Sequence, residues 1–176
     1  MASKLFIITS PSGGGKTSLV SALIERTPDM AIGVSHTTRK PRKGERQGIH
    51  YHFIDPEQFA NMEHEFFAKT NYHGNFYGTH PNELTRAKSV FLLMDHVGTL
   101  QTKKAYPDAT TIFILPDNKR VLKQRLRDRG DMTEQDIENR LASYEEEILN
   151  HHKYDYVLLN DDFEKAVEGL GRIVDG

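Results

Sequence analysis

The sequence predicts an α/β fold in which a parallel sheet is flanked by helices on both sides. Short runs that are apolar on both faces alternate with segments of helical periodicity, a pattern typical of buried parallel strands. The strand-like runs are Leu5–Thr9, Val90–Met94, Thr111–Leu115 and Tyr156–Leu159. The helical segments are Thr17–Arg26, Val97–Ala105, Asn118–Arg129, Glu134–His151 and Phe163–Val174. Right-handed crossovers bring the ends of such strands to one edge of the sheet, where we expect the ligand.

The composition limits the class of protein. The 176 residues suffice for one domain with a full core, and 37% apolar with 27% charged residues fits a soluble globular chain. A net charge of −2 gives no basic field, so a nucleic-acid partner is not expected. The absence of cysteine excludes disulfides, thiol chemistry and cysteine-based zinc sites. No apolar run reaches membrane-spanning length and the first residues lack the apolar core of a signal peptide, so we expect a cytoplasmic enzyme with no membrane partner.

The first predicted strand leads into a glycine-rich loop and a helix, in the stretch FIITSPSGGGKT from Phe6 to Thr17. This order matches the phosphate-binding pattern GxxxxGK[ST], except that Ser10 stands at the first glycine position, where a small residue fits if its φ is negative. Loop N–H groups and the positive end of the helix would surround phosphate oxygens, while Lys16 reaches the β- and γ-phosphates and Thr17 binds Mg²⁺. An ordinary glycine-rich turn would leave the lysine and threonine unexplained. The predicted triphosphate-binding residues are Ser12, Gly13, Gly14, Gly15, Lys16, Thr17 and Ser18.

The middle third of the chain has a different character. From Val34 to Thr79 it is rich in Arg, Lys, Gly, His and Tyr, with short alternating segments such as Ile49–Ile54. One helix is predicted over Pro56–Glu65, because the preceding Asp-Pro pair is a helix-start signal. This part reads as an inserted, mostly β subdomain.

A second anion site is predicted within the insertion. The segment from Ser35 to Glu45 concentrates positive charge where glycine and proline disfavour a helix, and arginine forks match phosphate oxygens. Arg39 and Arg42 flank a stiff proline turn, and the hydroxyls of Tyr51 and Tyr77 could donate to the same phosphate. A solvated basic loop is the alternative, but a phosphotransferase needs a second anion site for its acceptor.

A second arginine-rich stretch follows the third strand. Arg125 and Arg129 are four residues apart and share a helix face, and Gly130-Asp131 breaks that helix. Residues 125–141, ending near Arg140, therefore read as a short helical lid that would bring positive charge to the phosphates and exclude water. The alternative, a salt-bridged pair of surface helices, accounts well for Arg127 and less well for Arg129 and Arg140.

Two further features remain open. Asp95 follows an apolar strand and could orient Mg²⁺ or contact the acceptor, or could simply cap the next helix. His50 and His52 are spaced for one strand face, but metal binding without supporting carboxylate or cysteine is a weak signal, and a polar strand face is the simpler account.

With these segments in order, the chain resembles the guanylate kinases over nearly its whole length. The matching stretches are SPSGGGKTSL, VSHTTRKPRKGERQGIHYHF, GNFYGT, FILP, RLRDRG, NRL and YDYVLLNDDFEKA. The resemblance implies a P-loop kinase fold and Mg²⁺-dependent transfer of the γ-phosphoryl group of ATP to a nucleoside monophosphate. It also implies one kinase domain over residues 1–176, with a core (1–33, 84–124 and 142–176), an acceptor-binding insertion (34–83) and a lid (125–141).

The resemblance implies roles for individual residues. The acceptor-binding set is Ser35, Arg39, Arg42, Tyr51, Tyr77, Thr79 and Asp95, with Ser35 and Thr79 near the base. The catalytic set is Lys16, Arg39, Arg125, Arg129 and Arg140. Arg129 and Asn160 would also lie on the adenine side of ATP.

Two positions depart from the family pattern. Ala68 stands where the family usually has a glutamate that accepts hydrogen bonds from guanine, and Leu93 replaces the first acid of an Asp-Ile-Asp strand end. GMP or dGMP is the first expected acceptor, and a different or modified nucleotide is the alternative that these two positions raise. A non-catalytic binding module is a further alternative, although such domains usually lose phosphate-loop residues that persist here. The sequence leaves the oligomeric state open.

Overall fold

The computed structural model describes residues 3–176 and confirms the predicted α/β fold. The chain forms two compact units. The first comprises the chain up to Ile7 together with Asp29–Ala109, and the second comprises Ile8–Pro28 together with Thr110–Gly176. Within residues 3–176, no helix combines the length and the apolar character that crossing a membrane requires.

Nine strands and seven α-helices lie within the described residues. The strands are β1 (Lys4–Thr9), β2 (Met30–Ile32), β3 (His36–Thr37), β4 (His52–Phe53), β5 (Ala68–Tyr72), β6 (Asn75–Thr79), β7 (Ser89–Leu93), β8 (Thr110–Pro116) and β9 (Tyr156–Asn160). The helices are α1 (Lys16–Arg26), α2 (Pro56–Met62), α3 (His96–Ala105), α4 (Lys119–Asp128), α5 (Glu134–Ala142), α6 (Tyr144–Leu149) and α7 (Phe163–Asp175). Short 3-10 helices cover Glu63–Glu65, Pro81–Thr85 and His151–Lys153.

The first unit contains two sheets. One has the strand order β2-β7-β1, with β2 and β7 parallel. Its interior is an apolar cluster in which Ile7, Val90 and Leu92 are almost fully buried. The other sheet has the order β4-β3-β6-β5 and mixes parallel and antiparallel pairs. The strands of this mixed sheet all lie within residues 34–79, the segment for which the sequence predicts mostly β-structure.

The register of the mixed sheet sorts its side chains onto two faces, because neighbouring residues of a strand point in opposite directions. Thr37 lies opposite Tyr77, and Tyr77 lies opposite Thr70, so these three share one face. His36 lies opposite Gly78 on the other face. That second face also carries the aromatic contacts of Phe59, on α2, with its neighbours. Of the acceptor-site residues predicted from the sequence, Tyr77 and Thr79 lie two residues apart on β6 and share the first face.

The second unit contains the parallel strands β8 and β9, in which Ile112 to Pro116 lie opposite Tyr156 to Asn160. Helices α1 and α7 pack against each other, and Arg26 pairs with Glu164 across them at 2.9 Å. Helices α4 and α5 pack through a separate apolar cluster of Leu122, Leu126, Ile137 and Leu141. This cluster makes α4 and α5 a structural pair.

Most predicted elements are confirmed to within one or two residues, and three are corrected. The helix predicted over Glu134–His151 divides at Ser143, whose hydroxyl donates to the Arg140 carbonyl and so competes with helix continuation. The strand-like segment Ile49–Ile54 is extended only at His52–Phe53, because the N–H groups of residues 49 and 50 turn back to the Arg46 carbonyl. The helix predicted over Pro56–Glu65 is an α-helix only as far as Met62 and continues as a 3-10 helix over Glu63–Glu65. In addition, the short strand β2 was not predicted.

Candidate active site

The predicted phosphate loop, residues 10–17, lies in the second unit, where it follows β1 and ends in the first turn of α1. Gly13 and Gly15 have φ values of 83° and 94°, which favour glycine. Ser10 stands at the first glycine position of the motif, and within residues 3–176 the only non-glycine residues with positive φ are Asp29 and His73. Ser10 therefore has a negative φ, as a small non-glycine residue at this position requires.

The N-terminus of α1 is built to receive an anion. Gly15 occupies the N-cap position, and no side chain caps the helix there. First-turn N–H groups of an α-helix have no acceptor four residues earlier, and the helix dipole places positive charge at the same end. Thr17 and Ser18 are exposed on this first turn. The arrangement suits a bound phosphate chain.

The Lys16 ammonium lies along the phosphate loop. Its Nζ donates to the Ser10 carbonyl at 3.1 Å and to the Ser10 hydroxyl at 3.3 Å. The lysine side chain thus spans from the first turn of α1 back to the end of β1, and its charge is held over the loop. A point charge on a flexible stem can follow a phosphate, as phosphate-loop lysines do.

Three side chains from distant parts of the second unit contact the loop from outside. Asn160, at the end of β9, is buried and donates from Nδ2 to the Gly14 carbonyl at 2.9 Å. Arg140, on α5, donates to the Ser12 hydroxyl at 2.8 Å, and Arg125, on α4, approaches the Gly13 carbonyl at 3.4 Å. Because C=O and N–H groups of one peptide plane point in opposite directions, the bond from Asn160 turns the next N–H, that of Gly15, away from Asn160. These contacts bring three predicted residues from outside the loop, Asn160, Arg140 and Arg125, together around it.

The α4–α5 pair agrees in part with each of the two interpretations made from the sequence, a lid over the phosphates and a salt-bridged pair of surface helices. Arg127 forms a bidentate pair with Glu134 at 2.7 and 2.8 Å, as the surface-pair interpretation expects. Arg125 and Arg140 instead face the phosphate loop. Arg129 is exposed at the C-cap of α4, and Gly130 follows with φ 68°. The predicted helix break is confirmed, and Arg129 stands directly before it.

The predicted acceptor site lies in the first unit and centres on Arg39, whose side chain is only 10% exposed. Its Nη1 and Nη2 atoms donate to the two carboxylate oxygens of Glu45, each at 2.9 Å, and Nη1 also donates to the Lys40 carbonyl at 2.8 Å. Glu45 accepts a further bond from the Arg42 backbone N–H at 2.7 Å. Glu45 therefore fixes the turn from Arg39 to Glu45, which we call the arginine turn.

The remaining donors of Arg39 form a fork. A guanidinium has five N–H groups, and the three bonds described above use three of them. Within residues 3–176, the Arg39 guanidinium donates to the Lys40 carbonyl and the Glu45 carboxylate. The two N–H groups not used in these bonds, that of Nε and one of Nη2, lie side by side. That edge has the geometry that binds two phosphate oxygens at once.

The electrostatics of this pair keep both groups charged. Burial by itself would lower the pKa of Arg39, but the hydrogen bond with Glu45 and nearby groups raise it above its ordinary value. Burial would likewise raise the pKa of Glu45, yet the hydrogen bonds from Arg39 and from the Arg42 N–H hold it below its usual range. A mostly buried arginine is thus kept cationic at any working pH.

Two tyrosines complete the surroundings of Arg39. Its guanidinium carbon lies 5.3 Å from the ring centre of Tyr51, and the rings of Tyr51 and Tyr77 meet edge to face at 5.9 Å. Burial, followed by the neighbouring Tyr77, raises the pKa of Tyr51 to about 12. Tyr51 therefore keeps its proton near neutral pH and remains a hydrogen-bond donor.

Two further hydroxyls lie close together, that of Ser35 directly before β3 and that of Thr79 at the end of β6. The Oγ of Ser35 and the Oγ1 of Thr79 are 2.8 Å apart, and both residues are buried. Each hydroxyl can donate or accept, so the pair can adapt to either kind of group on a ligand. The structure thus pairs the two residues that the resemblance places near the base.

Asp95 serves as a helix cap and also reaches the mixed sheet. Its Oδ1 accepts the Gly98 N–H at 2.8 Å, which makes it the N-cap of α3. Its Oδ2 accepts the Thr70 hydroxyl at 2.5 Å. The capping alternative raised from the sequence is therefore realised, and the carboxylate has an additional contact.

Ala68 and Leu93, the two departures from the family pattern, occupy apolar or strand positions. Ala68 is buried opposite Thr79, in the cluster that contains Leu84 and Met94. Leu93 ends β7.

The sequence interpretation missed Glu45 as part of the site. Glu45 was visible as the one acid within the basic segment, a signal for an internal ion pair. Among residues 3–176, no group of three or more His, Cys, Asp or Glu side chains is placed so that it could hold a metal ion. His52 instead stacks on His36, with ring centres 4.5 Å apart.

Comparison with known proteins fits this geometry. Residues 2–176 match the family model described as guanylate kinase. The chain belongs to the guanylate kinase family. A guanylate kinase of Shewanella denitrificans is 45% identical over 177 residues, covering 97% of this chain and 86% of that protein. A guanylate kinase of Methylobacillus flagellatus is 42% identical, covering 99% of this chain and 89% of that protein. The crystal structure of guanylate kinase from Anaplasma phagocytophilum matches with a TM-score of 0.80 at 27% identity, over 99% of this chain and 85% of that chain.

Membership of the guanylate kinase family confirms the expected fold and the enzyme class, a nucleoside monophosphate kinase. The names of these relatives give no support to the two alternatives raised from the sequence, a kinase for another nucleotide and a non-catalytic binding module.

Proposed function

We propose that this protein transfers the γ-phosphoryl group of ATP to GMP, and to dGMP, to give ADP and the corresponding diphosphate. The proposal is supported by the guanylate kinase family assignment and by two anion sites with different construction. One is a phosphate loop suited to a triphosphate, and the other is an arginine turn suited to a monophosphate.

On the donor side, the phosphate loop would hold the triphosphate of ATP through its N–H groups and Lys16. Magnesium fits this site, because Mg²⁺ in phosphotransferases takes much of its coordination from substrate phosphates and water. The exposed Thr17 hydroxyl would supply the protein ligand. The ion, when bound, neutralises charge on the phosphates.

The second arginine set would act on the same phosphates. Arg125 and Arg140 already lie against the loop through Gly13 and Ser12, so both are placed to meet an anion seated in it. We assign Arg129 a role at the phosphates or against adenine, and Asn160 a role on the adenine side as well as in fixing the loop. Residues 125–141 would act as a lid, since an apolar cluster makes α4 and α5 a structural pair.

On the acceptor side, residues 34–83 would bind the monophosphate. The free edge of Arg39 would grip two phosphate oxygens, with Arg42, Tyr51 and Tyr77 donating to the others. Ser35, Thr79 and Asp95 would contact the nucleoside part of the acceptor.

The chemical step needs little from the protein beyond placement. A phosphate oxygen of GMP attacks the γ-phosphorus of ATP, a new P–O bond forms, and the bond to the β-phosphate oxygen breaks with ADP as leaving group. No general base is required, because the attacking oxygen is already anionic. Catalysis then comes from alignment and from cationic stabilisation of the transferred group.

The observation that carries the proposal is the Arg39–Glu45 pair. An almost buried arginine, held by a carboxylate so that one bidentate edge stays unused, is a prepared receptor for an anionic group. A surface loop with only solvated charge would not fix a guanidinium in this way.

A coupled assay with ATP, Mg²⁺ and a panel of monophosphates tests the proposal. The panel contains GMP, dGMP, IMP, AMP, CMP, UMP and dTMP, and kcat/KM is compared across it. GMP or dGMP should give the highest value, with one ADP formed for each diphosphate. A higher value for another base, or ATP consumption without a diphosphate product, would contradict the proposal.

A further inference from the structure

The carboxylate of Asp95 is held from two sides by groups of the first unit. The Gly98 N–H of α3 donates to Oδ1 at 2.8 Å, and the Thr70 hydroxyl of β5 donates to Oδ2 at 2.5 Å. The Asp95 main chain is fixed as well, since its carbonyl accepts both the N–H and the hydroxyl of Thr99. With the backbone fixed, the remaining freedom of this residue lies in its side-chain torsions.

Thr70 lies where the acceptor residues meet. It pairs with Tyr77 across β5 and β6, two residues from the Ala68–Thr79 pair on the same face. Its methyl group packs toward α3, since a Cβ added at Gly98 would lie 3.4 Å from Thr70 Cγ2. The methyl therefore contacts α3 while the hydroxyl reaches Asp95, which leaves the hydroxyl one defined orientation.

The two bonds leave the carboxylate with capacity for a ligand. An ionised carboxylate has about four acceptor sites, of which Gly98 and Thr70 occupy two. Without the Thr70 hydroxyl, only Oδ1 would be held, and the other oxygen could rotate away from its present direction. The Gly98 bond alone suffices to cap α3, so the Thr70 bond is not needed for that purpose.

We propose that Thr70 is a positioning residue for acceptor recognition, which orients the Asp95 carboxylate toward donor groups of the nucleoside monophosphate. The inference rests on the proposed function, because it takes Asp95 as an acceptor-binding residue. Thr70 acts through Asp95. Loss of its hydroxyl therefore weakens binding of the acceptor and leaves binding of ATP unchanged.

The first test compares Thr70→Val with Thr70→Ser. Valine keeps the shape of threonine and deletes the hydroxyl, whereas serine keeps the hydroxyl and deletes the methyl. We expect Thr70→Val to raise the Kd for GMP, measured by calorimetry, by about tenfold, the size of one hydrogen bond to a charged group. The KM for GMP should rise in parallel, the KM for ATP should stay at the wild-type value, and Thr70→Ser should bind GMP almost as wild type does.

A double-mutant cycle separates positioning from general stability. Asp95→Ser keeps an N-cap oxygen for α3 but is too short to reach Thr70. In that background Thr70→Val should change the Kd for GMP by less than about twofold, because the group it acts through is gone. Thr85→Val serves as control, since Thr85 is an exposed threonine of the same unit, outside the site.

The outcomes are distinct. The inference fails if Thr70→Val binds GMP as wild type does, if Thr70→Ser is equally impaired, or if the loss persists in the Asp95→Ser background. Wild-type protein that binds GMP without phosphorylating it would overturn the proposed function alone, because the binding cycle still measures the role of Thr70. Wild-type protein that does not bind GMP would overturn both.

Discussion

The phosphate loop and the arginine turn prepare anion sites in different ways. The loop uses its backbone, and its outer contacts come from Arg125, Arg140 and Asn160, which lie 112 to 146 residues away along the chain. The arginine turn uses side-chain charge, fixed by Glu45 only six residues from Arg39. We therefore expect the donor site to depend on backbone geometry and long-range packing as well as on the charge of Lys16. The acceptor site should be most sensitive to the loss of single charges.

The largest effect is expected from Lys16→Ala in the phosphate loop. The ammonium both bridges to Ser10 and would stabilise the transferred phosphoryl group, so kcat should fall by roughly a thousandfold or more. The matched control is Lys165→Ala, an exposed lysine of the same unit whose side chain is 80% exposed. Equal kcat values for the two variants would remove Lys16 from the catalytic group.

Backbone sensitivity can be measured with two glycines of positive φ. A Cβ on Gly15 would lie 2.6 Å from Asn160 Nδ2, whereas a Cβ on Gly130 would meet nothing within 4 Å. Both alanine variants suffer strain of about 1–2 kcal/mol, but only Gly15→Ala displaces the side chain that fixes the loop. We expect Gly15→Ala to raise the KM for ATP by roughly a hundredfold. Gly130→Ala should change it by less than about threefold, and similar losses in both would show that crowding at Asn160 is irrelevant.

Charge sensitivity of the arginine turn is tested by Arg42→Ala. Removing one charged donor from the acceptor phosphate should raise the KM for GMP by about tenfold to thirtyfold, with the KM for ATP unchanged. Lys43→Ala, the exposed neighbour on the same turn, is the control and should leave both values unchanged. An Arg42→Ala enzyme with wild-type affinity for GMP would exclude Arg42 from the site.

The smallest effect concerns pH and the face of the mixed sheet opposite Arg39. Burial, and then the charge of His52, lower the pKa of His36, while Glu83 opposes the shift, His80 adds to it, and Glu65 opposes it. Within the described residues the buried Nδ1 of His36 has no hydrogen-bond partner. The unfolded chain therefore takes up a proton near pH 6.5 before the folded one does, so the free energy of unfolding should fall as the pH drops below that value.

Replacing His36 by phenylalanine should remove this contribution, because an aromatic ring keeps the stacking but cannot be protonated. Urea unfolding between pH 5 and pH 8 is the measurement, with His64→Asn, at an exposed position of the same unit, as control. A pH dependence that is identical in wild type and His36→Phe would contradict the assignment.

Local patterns predicted those parts of the molecule that local chemistry determines. The β1–loop–α1 unit was predictable because strand, glycine loop, lysine and helix are adjacent in sequence. The division at Ser143 was not, because a serine within an acidic helical pattern does not reveal that its hydroxyl will bond the Arg140 carbonyl. The short strand β2 is only half-buried and has no distinct periodicity.

In the site, too, features set by the local sequence were predictable, and features set by contacts between distant residues were not. Arg39 and Arg42 were identified by charge, but the orientation of Arg39 depends on which acid it pairs with. The bond of Thr70 to Asp95 could not be predicted, since it depends on β5 lying beside the start of α3, a contact between positions 25 residues apart. Such non-local contacts require the folded chain.

The central claim is that the donor and the acceptor bind to separate anion sites. Binding titrations test it most directly, with GMP and a non-hydrolysable ATP analogue with Mg²⁺ added separately to wild type, Lys16→Ala and Arg42→Ala. Two independent anion sites predict a crossed result: Lys16→Ala loses affinity for the ATP analogue and keeps affinity for GMP, whereas Arg42→Ala does the reverse. If either substitution weakened both nucleotides equally, the separation into a backbone-built donor site and a charge-built acceptor site would be contradicted.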